Sequence, residues 1–189
     1  NSVVNTGGTP VLCDVNYETR NVNLRTIAEK VTSQTEAVMI VHFGGQPCAI
    51  DEINDYCQKK GLLLIEDSAE TLGATWKGVQ AGATGIGCFS FFPTKNMTTA
   101  EGGMFTCHDD KIAEMARAIV GHGVSSTTFA REKQLKPWLR AAQYAGHNFR
   151  MPNPLAALGY FQLGKLEKMN GRRKELASRY NQALAVLAP

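Results

Sequence analysis

The sequence lacks the features that mark membrane-spanning, secreted and disulfide-stabilised proteins. Its 189 residues contain no long uninterrupted apolar run and no signal-peptide pattern, so we expect neither membrane insertion nor secretion. The five cysteines are odd in number and show no CxxC spacing, which favours a reducing cytoplasm over a disulfide framework. Cys13, Cys88 and Cys107 lie in apolar runs, and we expect them to be buried.

Clustered charge and the common nucleotide-binding and metal-binding motifs are also scarce. Lys and Arg number 20 against 17 Asp and Glu, a formal net charge of +3. The main basic cluster, Arg172 to Lys174, has glutamates nearby and fits a solvated helix face better than a nucleic-acid site. The four histidines lie far apart, so we expect no metal site. No GxGxxG motif opens a helix, and no Walker lysine pattern occurs.

The first half of the sequence alternates between apolar runs of strand length and segments with helical spacing, which indicates an α/β fold. The alternation fails over residues 62–107, where three apolar runs follow one another with little helix between them. A largely parallel but mixed sheet is therefore expected. The predicted strands cover residues 11–15, 37–42, 62–65, 86–91 and 104–107. The run at 37–42 has the continuous apolar character of a strand buried on both faces.

Helices are predicted where capping residues precede apolar positions at helical spacing. One starts after Asn23, one covers residues 50–60, and a long one with a single apolar stripe starts at Pro154. Another is expected from Asp109 or Asp110 to residue 120, burying Ile112, Met115, Ala116 and Ile119. Residues 121–147 are expected to form a loop, with a short helical piece near residues 138–142.

Three polar residues stand at the ends of neighbouring apolar runs, where α/β folds place their chemistry. Asp67 follows one run, Ser90 lies at the end of the next, and Lys95 comes five residues later. Each has an ordinary alternative: a turn-capping carboxylate, a hydroxyl that satisfies backbone, and a solvated lysine. A protease-like pair of cysteine and histidine also stays open. Taken together, Asp67, Ser90 and Lys95 are more informative than each residue alone.

The combination and its surroundings resemble a known family. The segments EDSAETLGATWKG, GCFSFFPTKNMTTAEGGM and GHNFRMPNPLAALGYFQLGKLE are similar, in this order, to the DegT/DnrJ/EryC1/StrS aminotransferases. TGGTPVLCDV and VHFGGQPCAI extend the resemblance to nearly the whole chain. These proteins are the sugar-nucleotide branch of the fold-type I enzymes that use pyridoxal 5'-phosphate (PLP).

The resemblance implies a three-layer α/β/α large domain with a mostly parallel mixed sheet. Family members extend further at both ends, so we expect this chain to be a central fragment. Residues 1–153 are then the PLP-binding large domain without its amino-terminal part. Residues 154–189 are the long linking helix that starts the small carboxyl-terminal domain.

Carried over to matching positions, the resemblance implies a cofactor site. Lys95 matches the Schiff-base lysine, Asp67 the carboxylate that faces the pyridine nitrogen, and Ser90 a hydroxyl ligand of the cofactor phosphate. Glu70 occupies a position against the cofactor ring where many relatives carry His or Gln. Asn148 matches an asparagine that reaches the phosphate of the neighbouring subunit's cofactor, which implies a homodimer with shared active sites.

Other positions match less specifically. Asn96 and Arg150 are weaker candidates for contact with substrate, and His42 and Gln46 either line the pocket or are structural. The implied reaction moves an amino group from an amino acid, with glutamate the favoured donor, to a keto-sugar nucleotide. The cofactor alternates between PLP and pyridoxamine 5'-phosphate in this reaction.

Two alternative functions stay open. One is a non-catalytic or regulatory protein that retains the fold for dimerisation or ligand sensing. The other is a PLP-dependent sugar dehydratase, which is less favoured because relatives of that kind carry histidine at the position of Lys95.

Overall fold

The computed structural model describes residues 1–125, 132–133 and 138–187. The strands are β1 Ala37–Val41, β2 Leu63–Asp67, β3 Thr75–Trp76, β4 Val79–Gln80, β5 Ile86–Ser90 and β6 Gly103–Thr106. One sheet has the order β1-β2-β5-β6, in which the first three strands run parallel and β6 is antiparallel to β5. β3 and β4 form a separate antiparallel ribbon. The predicted α/β class with a mostly parallel mixed sheet is confirmed.

The described helices are α1 Ser2–Asn5, α2 Leu24–Ala28, α3 Ile50–Lys60, α4 Asp110–Val120, α5 Asn153–Leu163 and α6 Leu166–Leu184. Two of them, α2 and α4, begin after the predicted capping residues Asn23 and Asp109. Asn23 and Thr26 form a capping box at the start of α2. The Asp109 side chain accepts hydrogen bonds from two backbone N–H groups in the first turn of α4. Gly61 ends α3 in the left-handed conformation, with φ of 67°.

The hydrophobic core lies between one face of the sheet and the helices α2 and α3. Its buried members are Ile27, Val38, Ile40, Cys48, Ile53, Cys57 and Leu64. Val38 and Ile40 are neighbours of Leu64 and Glu66 in the β1–β2 register, so these four side chains face the helices together. The carboxylate of Glu66 therefore enters the apolar side of the sheet.

The prediction that the 37–42 strand is buried on both faces is wrong for the described part of the chain. Burial alternates along β1, and Met39 and Val41 stay 43% and 48% exposed. Leu63 of β2 lies on the same open face. A continuous apolar run shows that both faces tolerate burial, but it does not contain the element that would cover the second face.

Two local predictions are also wrong. Residues 11–15 form an irregular segment instead of a strand, and Leu12 is 87% exposed. The segment lacks a strand to pair with among the described residues, and an apolar run without a partner does not form a sheet. Residues 138–142 are not helical, because Ala142 pairs with Val124 in an isolated bridge. Of the predicted 121–147 loop, residues 126–131 and 134–137 lie outside the described residues.

The long helix predicted from Pro154 is two helices, α5 and α6, joined at Gly164 and Lys165. Gly164 is the residue that ends α5. The predicted apolar stripe is not buried in the described structure, since the following of its members are exposed: Leu158, Leu176, Tyr180, Leu184 and Leu187. No helix among the described residues is both long and apolar enough to cross a membrane.

Burial of α4 and of the cysteines differs from the prediction. Ala118 is the buried residue of α4, while Met115 is exposed and Ile112, Ala116 and Ile119 are half-buried. All five cysteines are free, and Cys48 and Cys57 are the buried ones. Cys13, Cys88 and Cys107 are half-buried, because the strand expected around Cys13 does not form and Cys107 lies just beyond β6.

Candidate active site

The carboxyl ends of β2 and β5 bring two predicted site residues to one edge of the sheet. Asp67 is the last residue of β2 and pairs in parallel register with Cys88 of β5. Ser90 lies two residues further on, at the end of β5. Because side chains alternate along a strand, Asp67, Cys88 and Ser90 share one face. The N–H of Ser68 donates to the Cys88 carbonyl at 2.8 Å and so joins the two strand ends.

Lys95 reaches the same edge through an ion pair with Glu70. Its Nζ lies 3.5 Å from Oε1 of Glu70, and its side chain is only 21% exposed. The turn that carries Lys95 is closed by a hydrogen bond from the Lys95 N–H to the Phe92 carbonyl at 3.0 Å. The loops that follow β2 and β5 therefore meet through their side chains, and the amine lies beside the loop that begins after Asp67.

Glu70 also binds the loop that follows β1. Its Oε2 accepts a hydrogen bond from the N–H of Gly44 at 3.0 Å. Gly44 and Gly45 have φ of 63° and 81°, and a Cβ on Gly45 would lie 2.9 Å from the Glu70 carbonyl oxygen. The two glycines therefore permit an approach that a larger residue would prevent. The loop that follows β1 is thus part of the site.

Asp67 and Ser90 retain unused hydrogen-bonding capacity. Oδ1 of Asp67 accepts from the N–H of Ala69 at 3.1 Å, and Oγ of Ser90 accepts from the N–H of Phe92 at 3.3 Å. Among the described residues, neither side chain makes a further hydrogen bond. A second carboxylate oxygen and a hydroxyl proton are therefore free to meet a bound group at this edge.

A buried pair behind the edge, Glu66 and His42, has no exposed side-chain surface. Nε2 of His42 lies 3.1 Å from Oε2 of Glu66, while Nδ1 of His42 accepts from the N–H of Cys48 at 3.1 Å. Since Nδ1 acts as the acceptor, Nε2 carries the proton and donates to Glu66. The structural role of His42, one of two that the sequence left open, is therefore supported by these contacts.

The loop between β4 and β5 wraps the same carboxylate. Glu66 accepts backbone hydrogen bonds from Gly82, Thr84 and Gly85 at 2.8, 3.0 and 2.7 Å. Burial raises the pKa of the Glu66 carboxyl, but the His42 and backbone donors outweigh burial and hold that pKa below its usual value. Glu66 is thus a buried anion that fixes the approach to β5, and no sequence motif indicated this role.

The cysteine–histidine pair left open by the sequence is present as a contact but is not suited to nucleophilic chemistry. Cys48 meets His42 through its backbone N–H rather than its thiol. Burial, together with the Glu66 charge, raises the pKa of the Cys48 thiol to about 11. Burial and the Asp67 charge also raise the pKa of Cys88. Both thiols are therefore protonated at neutral pH, whereas the thiolate is the reactive form.

Asn96 turns away from the edge towards α6. Its Nδ2 donates to the Leu72 carbonyl at 3.2 Å and lies 3.4 Å from Oδ1 of Asn170. Both amide protons are therefore used inside the chain, and only the side-chain oxygen is left for another partner.

Asn148 and Arg150 lie apart from the Lys95 edge. Asn148 forms an isolated bridge with Gly121 after α4, and its Oδ1 accepts from Nε of Arg150 at 3.4 Å. Arg150 borders a broad groove of about 910 Å³ beside α4, which none of Asp67, Glu70, Ser90 and Lys95 lines. Within the described residues, neither side chain hydrogen-bonds to the Lys95 edge.

The side chains at this edge of the sheet define a class of site. An amine, two carboxylates and a hydroxyl gather where the parallel strands of an α/β sheet end, which is the usual place for ligand binding in such folds. The described residues contain no group of three or more His, Cys, Asp and Glu side chains that could hold a metal ion. Together these side chains can bind an organic ligand whose polar groups complement an amine, a carboxylate and a hydroxyl.

The chain belongs to the DegT/DnrJ/EryC1/StrS aminotransferase family, whose model matches residues 1–189. It is 38% identical over 184 residues to the spore coat polysaccharide biosynthesis protein SpsC of Bacillus subtilis, covering 97% of this chain and 47% of SpsC. The chain spans about half the length of the curated relatives it matches.

Solved structures give the same result. The aminotransferase from Psychrobacter cryohalolentis superposes with a TM-score of 0.91 at 37% identity, over 98% of this chain and 48% of that one. A dehydratase also matches, the E. coli GDP-4-keto-6-deoxy-D-mannose-3-dehydratase with bound hydrated PLP. Its TM-score is 0.81 at 27% identity, over 92% of this chain and 46% of that one. The shared fold is therefore common to aminotransferases and dehydratases.

Proposed function

We propose that this chain carries the cofactor-binding part of a PLP-dependent aminotransferase that acts on keto-sugar nucleotides. The observation that carries the proposal is the Lys95–Glu70 pair, which lies beside the strand end that bears Asp67. Membership of a family of aminotransferases supports it. In this proposal residues 1–153 bind the cofactor, and α5 and α6 lead towards a second, small domain.

The residues present fit PLP because its aldehyde, its pyridine nitrogen and its phosphate each have a chemical counterpart at the edge. Lys95 would supply the amine that holds the cofactor aldehyde. Asp67, whose second carboxylate oxygen is unused, would pair with the protonated pyridine nitrogen. Ser90, whose hydroxyl proton is unused, would donate to the phosphate. PLP, when bound, supplies the electron-withdrawing ring and the carbonyl group through which amino groups are exchanged.

Glu70 has two roles in the proposal. It accepts from Gly44 and pairs with Lys95, so it fixes the loop after β1 and orients the amine. Its carboxylate is proposed to contact the cofactor ring, to accept a hydrogen bond from a substrate hydroxyl, or to do both. Lys95 itself would hold and return the proton that moves during amino transfer, since it is the amine at the centre of the site.

The remaining parts of the proposal concern partners. Asn148, with Arg150 bonded to it, is proposed to act at the site of a second subunit, because it lies apart from the Lys95 edge of its own chain. Arg150 is also proposed to contact the substrate, with the remaining acceptor of Asn96 a weaker candidate. Glutamate is the proposed amino donor, and a homodimer is the proposed assembly. The free state of all five cysteines suits a cytoplasmic location.

The proposed activity is tested by release of 2-oxoglutarate from glutamate. The purified chain is mixed with PLP and glutamate, and wild type is compared with Lys95→Ala. We expect wild type to release 2-oxoglutarate and Lys95→Ala to be slower by about a hundredfold or more, the usual contribution of a positioned acid–base group. Lys77→Ala is the matched control, because Lys77 also forms an ion pair, 2.6 Å from Asp51, but on the β3–β4 turn. Equal rates in wild type and Lys95→Ala would contradict the proposal.

A non-catalytic function, in which the fold serves dimerisation or ligand sensing, is the first alternative. A folded dimer that takes up no PLP and releases no 2-oxoglutarate would support that alternative. The dehydratase function is favoured by structural matches to dehydratases but not by Lys95. Consumption of a keto-sugar nucleotide in the absence of any amino donor would identify it.

A further inference from the structure

A polar cluster joins the carboxyl-terminal helix α6 to the residue that follows Lys95. We call it the α6 bracket and define it as Leu72, Asn96, Asn170 and Arg173. The Leu72 carbonyl accepts from Nδ2 of Asn170 at 2.9 Å and from Nδ2 of Asn96 at 3.2 Å. Arg173 donates to Oδ1 of Asn170 at 3.0 Å and to the Asn96 carbonyl at 3.1 Å. Three chain segments far apart in sequence are therefore fastened at one point.

The other residues of the α6 bracket form hydrogen bonds to both the backbone and the side chain of Asn96. Its carbonyl accepts from the Arg173 guanidinium, and its amide donates to Leu72 and Asn170. The preceding residue, Lys95, is held from the other direction by its N–H bond to Phe92. With the backbone on both sides of Lys95 held, the point from which its side chain extends towards Glu70 is held as well.

The backbone next to Leu72 has the shape that its contact with Asn170 requires. Gly73 follows Leu72 with φ of 88°, and a Cβ there would collide with Nδ2 of Asn170. The glycine thus leaves room for the amide that bonds to Leu72. Asn96 and Asn170 are both half-buried, so their hydrogen bonds are partly shielded from water.

Arg173 is distinguished from its neighbour on the same helix. Arg172 bonds to Glu175 at 2.6 Å, within its own helix and exposed to solvent. Arg173 instead crosses to the Lys95 loop, 77 residues earlier in the chain. A charged donor that bonds to a carbonyl makes one of the stronger hydrogen bonds available to a protein.

We propose that Asn170 and Arg173 are positioning residues for Lys95. Through the α6 bracket they hold the turn that carries the amine, so that its reach towards Glu70 and towards a ligand depends on helix α6. The catalytic meaning of this inference rests on the proposed function, whereas the mechanical coupling does not.

The coupling is tested by hydrogen exchange without any cofactor. The Lys95 amide, which bonds to the Phe92 carbonyl, is followed in wild type, Arg173→Ala and the control Arg172→Ala. Its protection should fall about tenfold in Arg173→Ala, the factor that corresponds to the loss of one hydrogen bond to a charged group. Arg172→Ala should leave it unchanged, and Arg173→Lys, which keeps one charged donor, should restore part of it. Equal protection in Arg173→Ala and Arg172→Ala would overturn the inference.

A general loss of stability is separated from positioning by the amides of β1. If β1 and Lys95 lose protection together in Arg173→Ala and also in Arg173→Lys, the bracket is only structural and the proposal fails. If β1 keeps its protection while Lys95 loses it, the effect is local and the proposal holds.

The chemical consequence is measured as the labelling ratio of two lysines. PLP and borohydride are added, and the modified fraction of Lys95 is divided by that of the exposed Lys59 on α3. The ratio should fall in Arg173→Ala and in Asn170→Ala, return in part in Arg173→Lys, and stay constant in Arg172→Ala. A ratio that is constant across all variants would overturn the inference. A wild-type chain whose Lys95 is never labelled would instead contradict the proposed function, and the exchange measurement would still decide the bracket.

Discussion

Glu66 and Asp67 are adjacent carboxylates that serve opposite faces of the sheet. Alternation along β2 directs Glu66 towards the helices, where it is fully buried, and Asp67 towards the open face. The first binds His42 and three backbone N–H groups, and the second keeps an unused oxygen. One residue organises the loop that leads into β5, and the next is available to a ligand.

The sequence predicts one of these roles and not the other. Asp67 is predicted because strand ends carry chemistry in α/β folds, and the spacing to Ser90 and Lys95 adds to that prediction. The role of Glu66 depends on amides 16 to 19 residues further along, in a loop that has no recognisable pattern. A glutamate on the buried face of a strand does indicate that hydrogen-bond donors lie near its carboxylate, but the sequence does not identify those donors.

Glu66→Gln should lower the free energy of unfolding at neutral pH by about 3 kcal/mol, since it removes the anion from a buried pair and turns an amide towards backbone donors. The pKa of Glu66 in the folded chain is below 4.5, the usual value. The stabilisation from its charge is therefore complete above 4.5 and is lost as the pH falls through the lower folded pKa.

The difference between wild type and Glu66→Gln should consequently shrink in acid. Urea unfolding at neutral pH and at a series of pH values below 4.5 measures it. Glu36→Gln, an exposed glutamate next to β1, is the control and should be nearly neutral. A wild-type advantage that stays constant throughout this range would contradict the account of Glu66.

At the scale of elements, the helices α5 and α6 form the support under the Lys95 loop. Gly159 of α5 is buried, and a Cβ there would lie 2.8 Å from Cγ2 of the fully buried Thr99. The α6 bracket adds the polar contact beside it. The sequence alone shows Gly159 only as a glycine inside the helix predicted from Pro154. It could not determine that the glycine permits close packing, because the partner lies 60 residues away in a loop.

Gly159→Ala should destabilise the chain by about 1–2 kcal/mol, because the added methyl meets a buried side chain that has no room to move. The same change at Gly171 should stabilise it by about 0.5–1 kcal/mol, because alanine favours a helix and no atom lies within 4 Å of the added Cβ. Thermal unfolding of the two variants measures both. If both variants were stabilised equally, helix propensity and not packing would determine the stability change at Gly159.

The same elements show where sequence patterns reach their limit. Caps predicted α2 and α4, because capping is a local interaction between residues two or three apart. Periodicity predicted the strands β1, β2, β5 and β6 but not how far each face is covered, since coverage depends on distant elements. The segment at 11–15 has strand-like residues but no strand to pair with in the described part of the chain, and it is irregular there.

For the whole molecule, the site is assembled from segments that are distant in sequence. Glu70 and Lys95 are 25 residues apart, and Asn96 and Arg173 are 77 apart. The loops of the sheet therefore bring the amine and the carboxylate together, and helix α6 contacts the residue that follows the amine. The family resemblance indicated Glu70, Lys95 and Asn96, because matching positions in a family carry information on long-range pairing that periodicity lacks. Arg173 was expected only on a solvated helix face.

The central claim is that Lys95 is the amine of a cofactor site at the carboxyl edge of the sheet. The most direct measurement incubates the purified chain with PLP, reduces it with borohydride and locates the attached group by peptide mass spectrometry. The account predicts one predominant modified position, Lys95, with loss of the signal in Lys95→Ala. Modification spread over exposed lysines with Lys95 unlabelled, or no modification of a folded chain, would contradict it.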